Sequence, residues 1–170
     1  MKENNKARRI VMAALLAALT CVATMIIKIP SPLQGYVNLG DCAVLFAGWV
    51  LDPVYGFLAA GLGSALADLF SGYAVYAPAT FFIKGGMAFV AFCGFRLFCK
   101  KLGSLPARIF AGILAETVMV LGYFVFEGFL YGFGPSALNV PANLVQGVVG
   151  LVLGCILGKV FEKSKRISFR

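Results

Sequence analysis

Amide and carboxylate side chains recur at helical spacing inside apolar stretches of this sequence. One predicted helical face carries amides at i, i+4 and i+7, namely Asn139, Asn143 and Gln146. Another carries two acids and a phenol at i, i+7 and i+11, namely Glu116, Tyr123 and Glu127. Because the chain has no histidine and no GxxxxGKS/T phosphate loop, neither a Ser-His-Asp arrangement nor ATP hydrolysis is expected. The sequence therefore predicts a binding protein rather than an enzyme, with no metal site and no cofactor.

Two residues of opposite charge lie on either side of a short turn in the stretch 67–86. Asp68 falls near the end of one apolar segment, and Lys84 lies inside the next on the same helical face as Thr80. An ionisable side chain in hydrocarbon costs at least about 2.5–3.5 kcal/mol on insertion scales, so it normally faces a partner or a cavity. We therefore predict that Asp68 pairs with Lys84 and fixes two neighbouring helices around the mouth of a polar pocket.

Tyrosines flank the same end of the predicted helices, at positions 36, 73, 76 and 131. Each alone is typical of an interfacial aromatic belt, but together with loop 28–40 they would cover a flat, hydrogen-bonding ligand. Three helices bring polar groups to a similar depth and a fourth adds a lysine. This convergence favours a ligand pocket over polar residues that only join helices. The predicted ligand contacts are Tyr36, Asp68, Tyr76, Lys84, Tyr123, Glu127, Asn139, Asn143 and Gln146.

The composition places these residues in a membrane. The chain is 61% hydrophobic and 13% charged, whereas soluble domains average about 45–50% apolar and about 25% charged residues. Its apolar stretches predict an all-α membrane protein, a six-transmembrane-helix bundle in a single domain over residues 1–170. Asp52 and Pro53 are expected to cap the third helix, and Asn139 and Pro141 to open the sixth. The approximate helix limits are 10–27, 39–51, 54–71, 78–99, 107–130 and 139–160.

The net charge of +8 comes from basic residues concentrated at segment ends, within 2–9, 96–108 and 159–170. The positive-inside rule assigns all three regions to the cytoplasm. Both termini are then cytoplasmic, and the end flanked by tyrosines faces outside. Membrane orientation explains the charge without nucleic acid, and the expected location is a bacterial-type plasma membrane.

Small residues also follow helical spacing. We expect the glycines at 150, 154 and 158, and the stripe at 56, 60, 63 and 67, to pack within the bundle. The first segment carries two overlapping AxxxA pairs, Ala13/Ala17 and Ala14/Ala18, which suit either packing in the bundle or contact with another membrane protein. The five cysteines have no CxxC spacing and are expected to be small buried hydrophobic residues.

Several stretches resemble the substrate-binding S component of energy-coupling factor (ECF) vitamin transporters. They are GYVNLGD (35–41), LDPVYGFLAAGLGSALADLFSGY (51–73), YAPATFFIKG (76–85) and the AxxxA pairs. The resemblance implies capture of a vitamin-like compound at the outer face, and partnership with a membrane T subunit and two cytoplasmic ATPases. It also implies contact with the T subunit through Ala13, Ala14, Ala17 and Ala18. Within the family, the branch assigned pyridoxine or hydroxymethylpyrimidine is the nearest, with riboflavin or another vitamin as alternatives.

Two other functions are compatible with the residues alone. One is a self-sufficient secondary transporter, driven by protons through Asp68, Glu116 and Glu127. The other is a non-transporting membrane assembly protein, in which the polar stripes only join helices. The chain shows no obvious inverted repeat or paired broken helices, which disfavours the secondary transporter.

Overall fold

The computed structural model describes residues 2–30 and 36–168, and within them the chain forms six helices and one small hairpin. The helices are α1 (Lys2–Ile26), α2 (Gly40–Val50), α3 (Pro53–Phe70), α4 (Ala77–Leu102), α5 (Ser104–Tyr131) and α6 (Phe133–Ser168). Strands β1 (Lys28–Pro30) and β2 (Tyr36–Asn38) pair antiparallel between α1 and α2. The predicted all-α bundle is confirmed, and the hairpin is an addition to it.

The expectation of six full-length crossings needs correction. Five helices of the described chain, α1 and α3–α6, are long and apolar enough to cross a membrane, whereas α2 has 11 residues. At 1.5 Å per residue α2 covers about 16 Å, roughly half of a hydrocarbon core about 30 Å thick. The bundle therefore consists of five candidate membrane spans and one shorter apolar helix.

The short helix α2 is the centre of the bundle and contacts all five other helices. None of its residues is exposed, and its small side chains allow neighbours to approach closely. Gly48 faces the backbone of α4 at Ala88, while Val44 and Leu45 pack into the core with Met87 and Met119 of the surrounding helices.

The two ends of the bundle differ in what they contain. Arg9 near the start of α1 forms a 2.7 Å ion pair with Asp52, and Phe161 near the end of α6 lines the same surface cavity. The start of α1 and the end of α6 therefore share one end, and the hairpin lies at the other. Which membrane face each end occupies stays a prediction.

The predicted small-residue packing is confirmed on α6. A Cβ on Gly150 would lie 2.6 Å from the Cβ of Asp41, and one on Gly158 would lie 2.8 Å from the guanidinium of Arg108. Gly154 lies against Cys42, Leu45 and Trp49, a helix contact that a larger residue would obstruct.

The stripe on α3 also packs inside the bundle, as predicted. Ala60 and Ala67 are fully buried, Gly56 packs on the backbone of α2, and Gly63 packs on the backbone of α1.

The two AxxxA pairs of α1 have different environments. Ala13 and Ala17 are partly buried and pack with Leu16 against the bundle. Ala14 and Ala18 are exposed on the outer surface of α1. Residues one position apart on a helix point in different directions. Packing in the bundle therefore applies to Ala13 and Ala17, whereas contact of Ala14 and Ala18 with another membrane protein stays a prediction.

Local expectations had mixed outcomes. Asp52 is the N-cap residue of α3 and Pro53 opens its first turn, as predicted, but the Asp52 carboxylate pairs with Arg9 and makes no capping hydrogen bond. Helix α6 begins at Phe133, directly after Gly132 with φ of +91°, so Asn139 and Pro141 lie inside the helix instead of opening it. All five cysteines are free; Cys93 is exposed and the others are only half-buried.

Candidate functional site

A polar cavity lies at the hairpin end of the bundle, between β2 and helices α3–α6. It is lined by Tyr36, Asn38, Asp68, Tyr73, Tyr76, Thr80, Tyr123, Glu127, Asn139, Asn143 and Gln146. The structure thus brings together every predicted ligand contact except Lys84. The predicted faces explain the convergence, since side chains at i, i+4 and i+7 project from a helix in one direction.

Lys84 does not pair with Asp68, as we had predicted. Its ammonium group forms a buried ion pair with Asp41 of α2, beneath the cavity. The same ammonium lies 5.4 Å from the ring centre of Tyr123, at cation–π distance. Thr80, one helical turn nearer the hairpin, lines the cavity, so Lys84 is one turn too deep to reach it.

Asp68 instead holds the hairpin against α3. Its Oδ1 accepts a 2.8 Å hydrogen bond from the hydroxyl of Tyr36, and its Oδ2 is buried without a hydrogen-bond partner in the described chain. Burial and the nearby Asp68 carboxylate raise the pKa of Tyr36, so the phenol remains a donor at physiological pH. A second contact, from Lys28 to Ser71 at 2.9 Å, joins the hairpin to the same end of α3.

Glu127 forms the opposite wall of the cavity. Its Oε1 accepts hydrogen bonds from Asn139 at 2.7 Å and from Tyr76 at 3.5 Å. Two buried acceptors beside it, Glu127 Oε2 and Asn139 Oδ1, have no partner in the described part of the chain. Tyr76 packs edge-on against Phe126 with ring centres 5.4 Å apart, which fixes the phenol in the wall.

Asn143 and Gln146, two of the three predicted amides of α6, differ in what they offer a ligand. Gln146 uses both ends of its amide, accepting from the backbone of Asn38 at 2.9 Å and donating to Asp41 at 2.7 Å. Asn143 lines the cavity and makes no side-chain hydrogen bond with any described residue. Of these two amides, that of Asn143 is therefore the one available to a ligand within the described chain.

We had not predicted Asn38, which lines the cavity, or Asp41, which lies beneath it. Both lie in the GYVNLGD stretch, so the resemblance contained a signal for them. Glu116 and Tyr131 lie in α5 together with Tyr123 and Glu127 but do not line the cavity. Glu116 packs against Gly147 and Gly150 of α6, with both oxygens lacking a partner in the described chain.

The cavity is small. Its volume is about 30 Å³, space for little more than a water molecule, whereas pockets for small organic ligands hold about 300–1,000 Å³. Tyr36 and Asn38 of β2 line one side, and residues 31–35 of the predicted cover lie outside the described chain. A vitamin-sized ligand therefore requires the cavity wall to move, and the cover stays a prediction.

Together these features describe an apolar helical bundle of the membrane-spanning type with a polar cavity at one end. Comparison with known protein families agrees with this description of the fold. Residues 4–163 match the family model described as ECF-type riboflavin transporter, S component, and the chain belongs to this family. As a member of this family, the chain is a multi-pass membrane component of a transporter that binds a vitamin-like substrate. The family consists of transporter components and is not an enzyme family.

Two relatives are similar along most of their sequences. An uncharacterized protein in gap 3'region of Pyrococcus woesei is 36% identical over 143 residues, covering 84% of this chain and 93% of the relative. The thiamine precursor transporter HmpT of Lactococcus lactis subsp. cremoris (strain MG1363) is 25% identical over 166 residues, covering 96% and 93%.

Solved structures confirm the fold. The S component of a bacterial ECF transporter superposes with a TM-score of 0.73 at 24% identity, covering 93% of this chain and 97% of that one. The S component for biotin from an ECF-type ABC transporter gives 0.62 at 19% identity, covering 95% of each chain. At these identities the likeness concerns the fold alone.

Proposed function

We propose that this chain captures a small heterocycle rich in hydrogen-bond donors, with hydroxymethylpyrimidine as the first candidate and pyridoxine as the second. Capture takes place at the hairpin-end cavity, on the outer face of the membrane. Delivery then depends on a T subunit and two ATPases, because the chain carries no phosphate loop of its own.

The observation that carries this proposal is a set of buried acceptors without donors. Asp68 Oδ2, Glu127 Oε2 and Asn139 Oδ1 belong to residues that line the same cavity, and none has a partner in the described chain. A buried polar group left unsatisfied costs about 1–3 kcal/mol. A ligand that presents amino or hydroxyl groups to these oxygens recovers that free energy.

Hydroxymethylpyrimidine has the matching chemistry. Its exocyclic amino group and hydroxymethyl group are donors for the acidic walls, and its ring nitrogens are acceptors for the free amide of Asn143. The flat ring suits an aromatic wall such as Tyr73 and Tyr76, whose ring centres are 6.5 Å apart. The similarity to a thiamine precursor transporter supports the same class of ligand.

Riboflavin, named in the family description, is the main competitor within the family. Its tricyclic ring is larger and presents carbonyl oxygens and ring nitrogens with one N–H donor, so its other donors are the hydroxyl groups of a flexible ribityl chain. Ring acceptors placed against the carboxylates of Asp68 and Glu127 would be repelled. The cavity walls therefore favour the smaller ring, whose donors are attached directly to the ring.

Isothermal titration of the purified protein with hydroxymethylpyrimidine, pyridoxine and riboflavin tests the proposal. We expect hydroxymethylpyrimidine to bind most tightly, and Glu127→Gln to weaken it about 10- to 150-fold through loss of a charged acceptor. Glu162→Gln is the matched control, because Glu162 pairs with Arg108 at the opposite end of the bundle. Tight binding of riboflavin with no binding of the smaller rings would refute the proposed ligand class.

A further inference from the structure

Lys84 and Asp41 lie beneath the cavity, but a continuous chain of hydrogen bonds connects them to its wall. Lys84 of α4 donates to Oδ1 of Asp41 in α2, and Oδ2 of Asp41 accepts from Gln146 of α6 at 2.7 Å. The carbonyl oxygen of Gln146 then accepts the backbone N–H of Asn38 in β2 at 2.9 Å. Three helices and one strand are joined in this way.

The groups at the two ends of this series of hydrogen bonds determine which end of each amide donates and which accepts. A carboxylate paired with an ammonium group only accepts hydrogen bonds, so the NH₂ group of Gln146 must face Asp41. Its oxygen must then face Asn38, whose backbone N–H only donates. The Asn38 side chain continues the pattern, since its NH₂ group lies 3.3 Å from the same Gln146 oxygen and its own oxygen accepts from Gly40. Neither amide can turn over without losing two hydrogen bonds.

We propose that Lys84 and Asp41 are positioning residues, which hold β2 closed against α6 by fixing the orientation of the Gln146 amide. Tyr36 and Asn38 of β2 both line the cavity, whose volume of about 30 Å³ is too small for an organic ligand. An organic ligand therefore requires the cavity to widen, and the hydrogen bond from Asn38 to Gln146 is a contact by which β2 opposes that widening. The expected effect on the rate of ligand dissociation rests on the proposed function. The contact of β2 with α6 does not depend on that function.

Hydrogen exchange at the Asn38 amide measures this closure without any ligand. The double variant Asp41→Asn with Lys84→Met replaces both charges by neutral side chains of similar size. It leaves the Gln146 amide free to turn over, because an asparagine can both donate and accept. We expect the Asn38 amide to exchange about tenfold faster than in the wild-type protein, with unchanged exchange in α4 and α5.

Two further variants serve as the positive and the negative control of this experiment. Gln146→Leu removes the acceptor itself and gives the largest acceleration at Asn38. Glu127→Gln changes the cavity wall without altering the hydrogen bonds from Lys84 to Asn38, and it should leave the exchange rate of the Asn38 amide unchanged. Unchanged exchange in the double variant, with fast exchange in Gln146→Leu, overturns the inference.

A loss of folding can be separated from a loss of positioning. If Asp41→Asn with Lys84→Met exchanges fast throughout, the comparison is repeated with Asp41→Asn and Lys84→Gln, which keeps a hydrogen-bonding group at both positions. Acceleration confined to β2 supports the inference, and unchanged exchange at Asn38 overturns it.

The ligand step is measured as the dissociation rate of hydroxymethylpyrimidine, which we expect to rise about tenfold in the double variant. If the wild-type protein does not bind this compound while Asn38 still responds, the proposed ligand is wrong and the positioning role of Lys84 and Asp41 stands.

Discussion

The hydroxyl of Tyr36 donates a 2.8 Å hydrogen bond to the carboxylate of Asp68, and so joins the hairpin to the end of α3 across the cavity. The ring of Tyr36 also lies 4.8 Å from that of Tyr73, so the phenol is positioned by stacking as well as by hydrogen bonding. This contact and the Asn38–Gln146 contact hold β2 from its two ends.

Tyr36→Phe should weaken ligand binding about fivefold, because it removes one hydrogen bond worth about 1 kcal/mol and leaves Oδ1 of Asp68 without its donor. The ring stacking on Tyr73 is preserved in this variant. Isothermal titration measures the effect. Tyr55→Phe, in which the changed tyrosine lies at the opposite end of the bundle near Asp52, serves as control. Equal affinity of Tyr36→Phe and the wild-type protein would show that this contact does not contribute to binding.

Ala14→Trp and Ala18→Trp should separate ligand binding from transport. Both residues are exposed on α1, and a large side chain there prevents the close approach that small residues permit between membrane helices. We expect unchanged ligand affinity in detergent, loss of uptake by cells that contain the whole complex, and loss of the co-purifying T subunit.

Val152→Trp is the matched control, since Val152 is exposed on α6 and 54% accessible. Normal uptake by both alanine variants would place this surface of α1 against lipid and not against a partner. Loss of uptake in Val152→Trp as well would indicate a general effect of a large exposed side chain.

Gly150→Ala should destabilise the bundle by about 1–3 kcal/mol, because the added Cβ would lie 2.6 Å from the Cβ of Asp41 and force α2 and α6 apart. Thermal unfolding in detergent measures the change. Gly134→Ala is the control, since nothing lies within 4 Å of a Cβ at that position and its backbone does not require glycine. Equal stability of the two variants would contradict the tight α2–α6 contact.

Glu116→Gln should leave uptake intact and maintain or increase thermal stability. Glu116 is 8% exposed and neither carboxylate oxygen has a partner in the described chain, so the substitution removes an uncompensated buried acid. Uptake of labelled hydroxymethylpyrimidine by cells carrying the complex is the measurement. A transporter driven by protons through Glu116 would instead lose uptake in this variant.

Helical periodicity was sufficient to predict most of the cavity. Asn139, Asn143 and Gln146 reach one site because their spacing fixes their direction, whatever the helix packs against. The partner of Lys84 could not be predicted in this way. It depends on how deeply α2 enters the bundle, and α2 is too short for hydropathy to fix its limits. Asp68 was the nearest acid in sequence, whereas Asp41 is the nearest in space.

The small volume of the cavity could not be predicted from the sequence either. Spacing shows which groups face one another, but the space between them depends on how far helices and hairpin approach. The contacts of Gln146 depend on these distances. Its amide is hydrogen-bonded to Asn38 and Asp41 without any ligand present.

The enclosure of α2 by all five other helices has a consequence for biogenesis. The long helices can partition into lipid as they leave the ribosome, because each is apolar over enough residues to cross the bilayer. Helix α2 is too short to do so alone, and Asp41 in its first turn has its partners on α4 and α6, which are synthesised later. Its final position is therefore reached only after α6 has been made. A ribosome that stalls before residue 146 would leave a membrane-inserted chain whose central helix still lacks the contact that fixes its first turn.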